Sequence, residues 1–243
     1  VRGIGTVVNV LTVLAGTVLG RLLGRRLPDR LRATALDGVG LVTLVIGVRE
    51  AFRTRNVLFP LVALILGAAV GETLRIEDRL EAVGERVRRR FAGGPGGPGG
   101  PSGPGGGPST FVEGFVAASL LFCVGPLTVL GSIRDGLGGP DHAQLLLVKS
   151  ALDGLVAVVF ASTLGWGVGF SVLTIAVVQG GLTLTAGAAD AVLTARMIDE
   201  MTATGGVMIA GIALRLLDLR RVRVASFLPA LVVAPVAVAL FAR

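Results

Sequence analysis

Long apolar runs separated by short polar breaks fill most of this chain. Eight runs stand out, at about 4–23, 34–51, 55–73, 111–133, 143–165, 168–188, 201–217 and 225–242. A bilayer core of ~30 Å takes about 20 residues of α-helix to cross. At that depth the backbone must satisfy its own hydrogen bonds, which a helix does. The pattern predicts an all-α, polytopic transmembrane helical bundle of about eight spans, the shorter ones tilted, re-entrant or partly interfacial. The second and seventh runs carry the weakest signal. The first run starts at Ile4 and its arginines, Arg21, Arg25 and Arg26, follow it. That order reads as a retained first span and not as a removable signal peptide.

Residues 71–91 change character. Ile76, Leu80, Val83, Val87 and Phe91 recur at helical spacing among charges of both signs, which predicts an amphipathic helix at the interface or projecting into the cytosol. Residues 93–110 are a Gly/Pro tract without a strict collagen period, hence a flexible linker. The organisation expected is a first transmembrane unit (1–73), an amphipathic helix with linker (74–110) and a second transmembrane unit (111–243).

Composition supports the membrane reading. Hydrophobic residues make up 52% of the chain, and the mean hydropathy is +0.80. The formal charge of +7 does not point to nucleic acid, because the arginines sit in short loops between apolar runs without a basic, aromatic-studded domain. Loop arginines obey the positive-inside rule. One side holds those near 21–32 and 75–90 together with Arg220, Arg221 and Arg223; the other holds Arg49, Arg53, Arg55, Arg134 and Arg196. The first set is larger and should be cytoplasmic, leaving both termini outside.

Enzyme chemistry has little support. Cys123 is the one cysteine and His142 the one histidine, so an intramolecular disulfide, a multi-cysteine metal site and a His-rich site are excluded. No Gly-x-Ser-x-Gly elbow, Walker loop or HExxH motif occurs. The expectation is no enzyme, no cofactor and no primary active transport by this chain alone. Cys123 reads as a small core residue.

The polar residues inside the runs carry the functional signal. Lys149, the only lysine, lies four residues before Asp153 in an otherwise apolar run. On a helix this puts both on one face, a turn apart. Such charges at lipid depth are costly unless they neutralise each other or line a wet cavity. The functional reading has Asp153 binding a cation while Lys149 modulates its charge; the plainer one is a structural pair locking two helices. In the fourth run, Gly125 followed by Pro126 should break the helix and free carbonyl groups, with Glu113, Ser119, Thr128 and Ser132 adding oxygens. Asn9 and Gln179 are amides at span depth, suited to coordinating an ion or to interhelical hydrogen bonds. Gly16, Gly20 and Gly24, spaced by four, form a close-packing stripe within the fold or between protomers.

A weak internal repeat aligns 38–70 with 205–238, bringing Arg49 opposite Arg215 and Pro60 opposite Pro229, and 8–20 with 170–181. Spans one to three would then match spans six to eight. The odd offset makes the copies inverted, a plan that secondary transporters use with their site near the midplane.

Several segments together resemble the YqgA/YdfK family of multi-pass bacterial membrane proteins. They are GTVVNVLTVLAGTVLGRLLG, LRIEDRLEAVGERV, LLFCVGPLTVLGSIRDGLGG, KSALDG, LGWGVGFSVLTIAVVQGGLTL and MIDEMTATGGVMIAGIAL. The resemblance covers nearly everything but the Gly/Pro linker. It implies the bacterial plasma membrane and a multi-pass architecture, and it supplies no catalytic residue. Members carry labels that range from unknown function to sodium channel or pump and an effect on biofilm formation.

The reading these residues favour is an ion-coupled carrier of an ion or small solute. Its site would be formed by Lys149, Asp153, Gln179, Glu113, Asn9 and the Gly125–Pro126 break. An ion channel, for sodium among others, is the first rival, and a scaffold or regulator docking through 72–91 is the second. The partners expected are the lipid bilayer, a small ion or solute and a second copy of the chain, with no nucleic acid.

Overall fold

The computed structural model describes residues 2–24, 28–80, 82, 108–138 and 142–241. These form helices α1 (Ile4–Gly24), α2 (Asp29–Ala51), α3 (Leu58–Thr73), α4 (Pro108–Cys123), α5 (Pro126–Leu137), α6 (Gln144–Leu164), α7 (Trp166–Leu184), α8 (Ala186–Val192), α9 (Ala195–Leu216) and α10 (Ala230–Phe241), with a 3-10 turn at Val224–Phe227. No strand occurs among the described residues.

Every expected span is helical, but the spans are unequal. Five helical stretches are long and apolar enough to cross a membrane: α1, α6, α7, α9 and Val224–Phe241. The expected fourth span is a pair, α4 and α5, bent by 60° at its break; counted as one crossing, it makes six. The third, α3, is apolar but only 16 residues long. The second is α2, and its 23 residues begin at Asp29, ahead of the expected boundary. The seventh also begins early, because the Thr194 hydroxyl accepts the Met197 N–H and caps α9 at Ala195. The linker expected to reach residue 110 gives way to helix at Pro108. Residues 81 and 83–91 of the amphipathic segment and most of the linker lie outside the described residues. The part described, 76–80, is docked: Glu77 is buried and Leu80 packs on the main core.

The helices before residue 80 find their main partners after residue 143. α1 lies along α6, α2 along α9, and α3 along α10. Glycine permits the approach. A Cβ on Gly16, Gly20 or Gly24 would run into the carbonyls of Gly154, Val158 and Ser162, so the small-residue stripe is spent on the α1–α6 seam. Residue matching fixes directions. Gly5 meets Leu146 and Gly20 meets Ala161, so α1 and α6 are parallel. Thr17 meets Gly169 and Gly3 meets Thr183, so α1 and α7 are antiparallel. Gly40 meets Leu217 while Gly47 meets Gly206, and Gly67 meets Ala230 while Gly71 meets Ser226. α2–α9 and α3–α10 are therefore antiparallel as well. α6 turns into α7 through one residue, Gly165, at φ 77°, a conformation glycine adopts at little cost.

These directions define two ends. The near end holds the start of α1 and α9 and the finish of α5 and α7; the far end holds the finish of α1, α3 and α9 and the start of α4. Arg21, Arg75, Arg220, Arg221 and Arg223 belong to the far end, and Arg49, Arg53, Arg55, Arg134 and Arg196 to the near end, the grouping read from the sequence.

Candidate functional site

Lys149 and Asp153 form an ion pair inside the bundle, 5% and 7% exposed. Asp153 sits at the middle of α6. The Lys149 ammonium donates to Asp153 Oδ2. Asn9 Nδ2, from α1, donates to the same oxygen at 2.9 Å. The Lys149 Nζ also lies 5.9 Å from the centre of the Phe122 ring, within cation–π range. Three helices thus meet at one ion pair.

Phe122 stands just before the break. α4 closes with the Val124 N–H donating to the Leu120 carbonyl at 2.9 Å. Gly125 follows at φ 156°, ψ 157°, which side chains other than glycine's rarely allow. Pro126 then opens α5, where its missing N–H costs nothing. The Thr128 hydroxyl donates to the Phe122 carbonyl at 3.0 Å, supplying a partner that the interrupted helix no longer gives. Gly125 and Pro126 therefore act through the backbone, by breaking the helix beside the lysine.

Gln179 is fully buried, and neither its amide oxygen nor its amide nitrogen has a hydrogen-bond partner among the described residues. α7 meets α1 through Gly169 and Thr183, and α4 through Gly167 and Thr174. Gln179 lies between those two faces of α7, on the buried stripe of Val168 and Ile175. The Thr17–Gly169 and Gly3–Thr183 matches put it level with the turn of α1 that carries Asn9. Asn9 Oδ1 and the hydroxyls of Thr6, Ser132 and Thr183 are buried and without partners too. Ser132 falls on α5 between Gly131, which meets α6, and Gly136, which meets α7. Phe122 thus joins the ion pair, while Thr6, Ser132 and Thr183 are further buried hydroxyls on the helices around it. The available signal was spacing: Thr6 precedes Asn9 by three residues and Thr183 follows Gln179 by four, each pair on one helix face. Nothing in the sequence signalled Phe122.

Glu113 is elsewhere. It accepts from Arg215 Nε at 2.6 Å, and Arg215 Nη1 donates to Glu77 at 3.0 Å. The other Glu77 oxygen accepts the Ala225 N–H at 2.8 Å. This latch joins 76–80, α4, α9 and the 3-10 turn at the far end, about 15 Å along α4 from Cys123. A cavity of about 550 Å³ opens on it, lined also by Asp78, Thr110, Arg221 and Arg223. No local pattern groups Glu77 with Arg215, which lie 138 positions apart. Glu200, at the near end, accepts from the Thr54 hydroxyl at 2.5 Å and the Arg55 N–H at 2.9 Å, so it anchors the α2–α3 turn. Asp135 accepts the Gly5 N–H at 3.1 Å at the start of α1.

The family model described as "Protein of unknown function (DUF554)" matches residues 4–239. The chain belongs to the DUF554 family. It is 30% identical over 231 residues to the uncharacterized protein YqgA of Escherichia coli (strain K12), covering 95% of this chain and 94% of that one. It is 25% identical over 238 residues to the uncharacterized membrane protein YdfK of Bacillus subtilis (strain 168), covering 96% and 95%. No solved structure matches the chain. With its long apolar helices, this DUF554 protein is a multi-pass membrane protein.

Proposed function

We propose that the protein is an ion-coupled carrier of an ion or small solute, with its site where α1, α6, α7 and the α4–α5 break converge. The observation that carries this reading is Gln179, fully buried with neither end of its amide partnered among the described residues. A polar group left unsatisfied away from water costs roughly 1–3 kcal/mol in proteins. Here several such groups lie on α1, α5 and α7, the helices that flank a buried ion pair and a broken helix, as would those of a site whose ligand completes the hydrogen bonding. The pairing of α1 with α7, α2 with α9 and α3 with α10, each antiparallel, supports an inverted repeat of spans one to three and six to eight. In such folds one repeat rocks against the other around a site near the midplane. The far-end latch would close the exit on that side.

Reconstitution into liposomes tests the proposal. A carrier gives uptake that saturates and depends on a cation gradient; single-channel currents would favour a pore instead. Lys149→Ala and Asp153→Asn are expected to abolish flux while leaving insertion intact. Full flux in both variants would remove the pair from the site.

A further inference from the structure

Two buried carboxylates are tied to neighbouring turns of α1. Asp153, on α6, accepts from the Asn9 side chain at 2.9 Å. Asp135, on α5 and 0% exposed, accepts from the Gly5 N–H at 3.1 Å. Gly5 and Asn9 are four residues apart on one helix face, about 6 Å along its axis. Lys149 balances Asp153. The other Asp135 oxygen faces His142 Nε2 at 3.7 Å. His142 is the one histidine of the chain and stands half-buried at the near end, just ahead of α6. Histidine exchanges protons at physiological pH more readily than other side chains. The three groups therefore descend from the near end to the middle of α6, in the order His142, Asp135, Asp153. Hydroxyls lie on the same turns. Thr6 follows Gly5, and Ser132 precedes Asp135 by one turn on the side of the break. Both hydroxyls are buried without a partner among the described residues. A hydroxyl can accept and donate at once, as a proton relay requires.

We infer that the coupling ion is a proton, and that it travels from the near end through His142 and Asp135 to Asp153. This deepens the carrier reading above and rests on it. The His142 imidazolium gives its Nε2 proton to Asp135 and returns to neutral imidazole. Asp135 passes a proton on through hydroxyl or water and returns to carboxylate. Asp153 takes the proton and becomes a neutral acid, while Lys149 stays an ammonium. The ion pair is then lost, and the Phe122 ring face, 5.9 Å from Lys149 Nζ, remains to stabilise the ammonium. Loading a proton thus turns a neutral pair into a positively charged centre. A coupled carrier needs such a difference to bias its two conformations. Few other groups face this route. The Cys123 thiol, from the end of α4, lies within electrostatic reach of Lys149 and Asp153. α7 and α8 press Thr183 and Ala186 against Gly136 beside Asp135, and α9 adds Ile198; none of these three titrates. Arg2 comes up to Gly138, and Arg134 is exposed on α5.

The full chain in lipid nanodiscs would be followed by infrared difference spectroscopy. A carboxylic C=O band should grow as the pH is lowered and should be missing in Asp153→Asn. Replacing choline chloride with sodium chloride at fixed pH should leave it unchanged. After flash release of protons from a caged acid, Asp135→Asn and His142→Gln should each slow the rise of that band by about tenfold or more, as loss of a proton-transferring side chain does. Imidazole in solution should restore the rate in His142→Gln, which it would not do for a histidine that only supports the fold. If Asp135→Asn fails to fold, His142→Gln with and without imidazole decides. Absence of a pH-dependent band that Asp153→Asn removes would overturn the inference. So would a parent-like rate in either folded variant, a slowing in His142→Gln that imidazole does not lift, or loss of the band on adding sodium. Protonation of Asp153 by this route, without solute uptake into liposomes under a pH gradient, would remove the carrier reading and leave the route. Saturable uptake driven by a sodium gradient and indifferent to a pH gradient would keep the carrier and overturn the proton.

Discussion

Asn9 and Asp153 are 144 positions apart in the chain, yet the amide of one donates to the carboxylate of the other at 2.9 Å. That bond reaches from α1 to α6 across a seam that glycines bring into backbone contact, so the carboxylate is fixed from two directions. The ammonium, on a flexible stem, is the partner able to leave.

Removing one member of the pair should be worse than removing both. Lys149→Met leaves Asp153 buried without its counter-charge, a change that costs about 3–5 kcal/mol. The double variant Lys149→Met/Asp153→Leu replaces the pair with apolar side chains and should recover most of that loss. Thermal melting in nanodiscs reads the stability. Flux should stay absent in the double variant, which separates the pair's structural part from its part in transport.

Gly20→Val places a branched side chain against the Val158 carbonyl. The seam cannot yield without separating two backbones, so a loss of about 1–3 kcal/mol or more is expected. Melting would show it, with Gly38→Val, which has open space around it, as the control.

Gly125→Ala tests conformation apart from crowding. Nothing lies within 4 Å of the added Cβ, so any penalty comes from holding φ near 156°. A cost of about 1–3 kcal/mol is expected. A melting temperature equal to that of the parent chain would show that the break tolerates a side chain.

Arg215 holds two carboxylates at once, through Nε and Nη1. Arg215→Gln should destabilise the far end by about 3–5 kcal/mol by stranding Glu77 and Glu113. Arg215→Lys should rescue only in part, because an ammonium cannot reproduce the planar fork. Labelling of a cysteine introduced at Thr110, in a Cys123→Ser background, would report opening of the cavity; equal labelling with and without Arg215 would argue against a latch.

The apolar helices were legible because period and length are properties of the sequence alone, whereas five or six of the eight expected spans are long enough to cross a membrane. Lys149 with Asp153, and Gly125 with Pro126, were legible because each pair lies within one helical turn. The rest depended on partners far along the chain. Glu113 reads as a site residue because it shares an apolar run with the break, but a helix separates its two ends by its own rise, and Arg215 claims it at the far end. Asn9 and Gln179 were visible as polar residues at depth. That Asn9 meets Asp153, and that Gln179 meets no partner, are tertiary facts no local pattern encodes.

The interleaving of early and late helices bears on how the chain is made. Helices α1, α2 and α3 leave the ribosome long before α6, α9 and α10, the elements whose backbones their glycines are shaped to touch. Until then those glycine faces have only lipid or the insertion machinery against them, and the assembly is completed by the last helix to arrive. Two separately synthesised pieces, ending after residue 82 and starting at residue 108, should therefore find each other in the bilayer, while the first piece alone should be degraded.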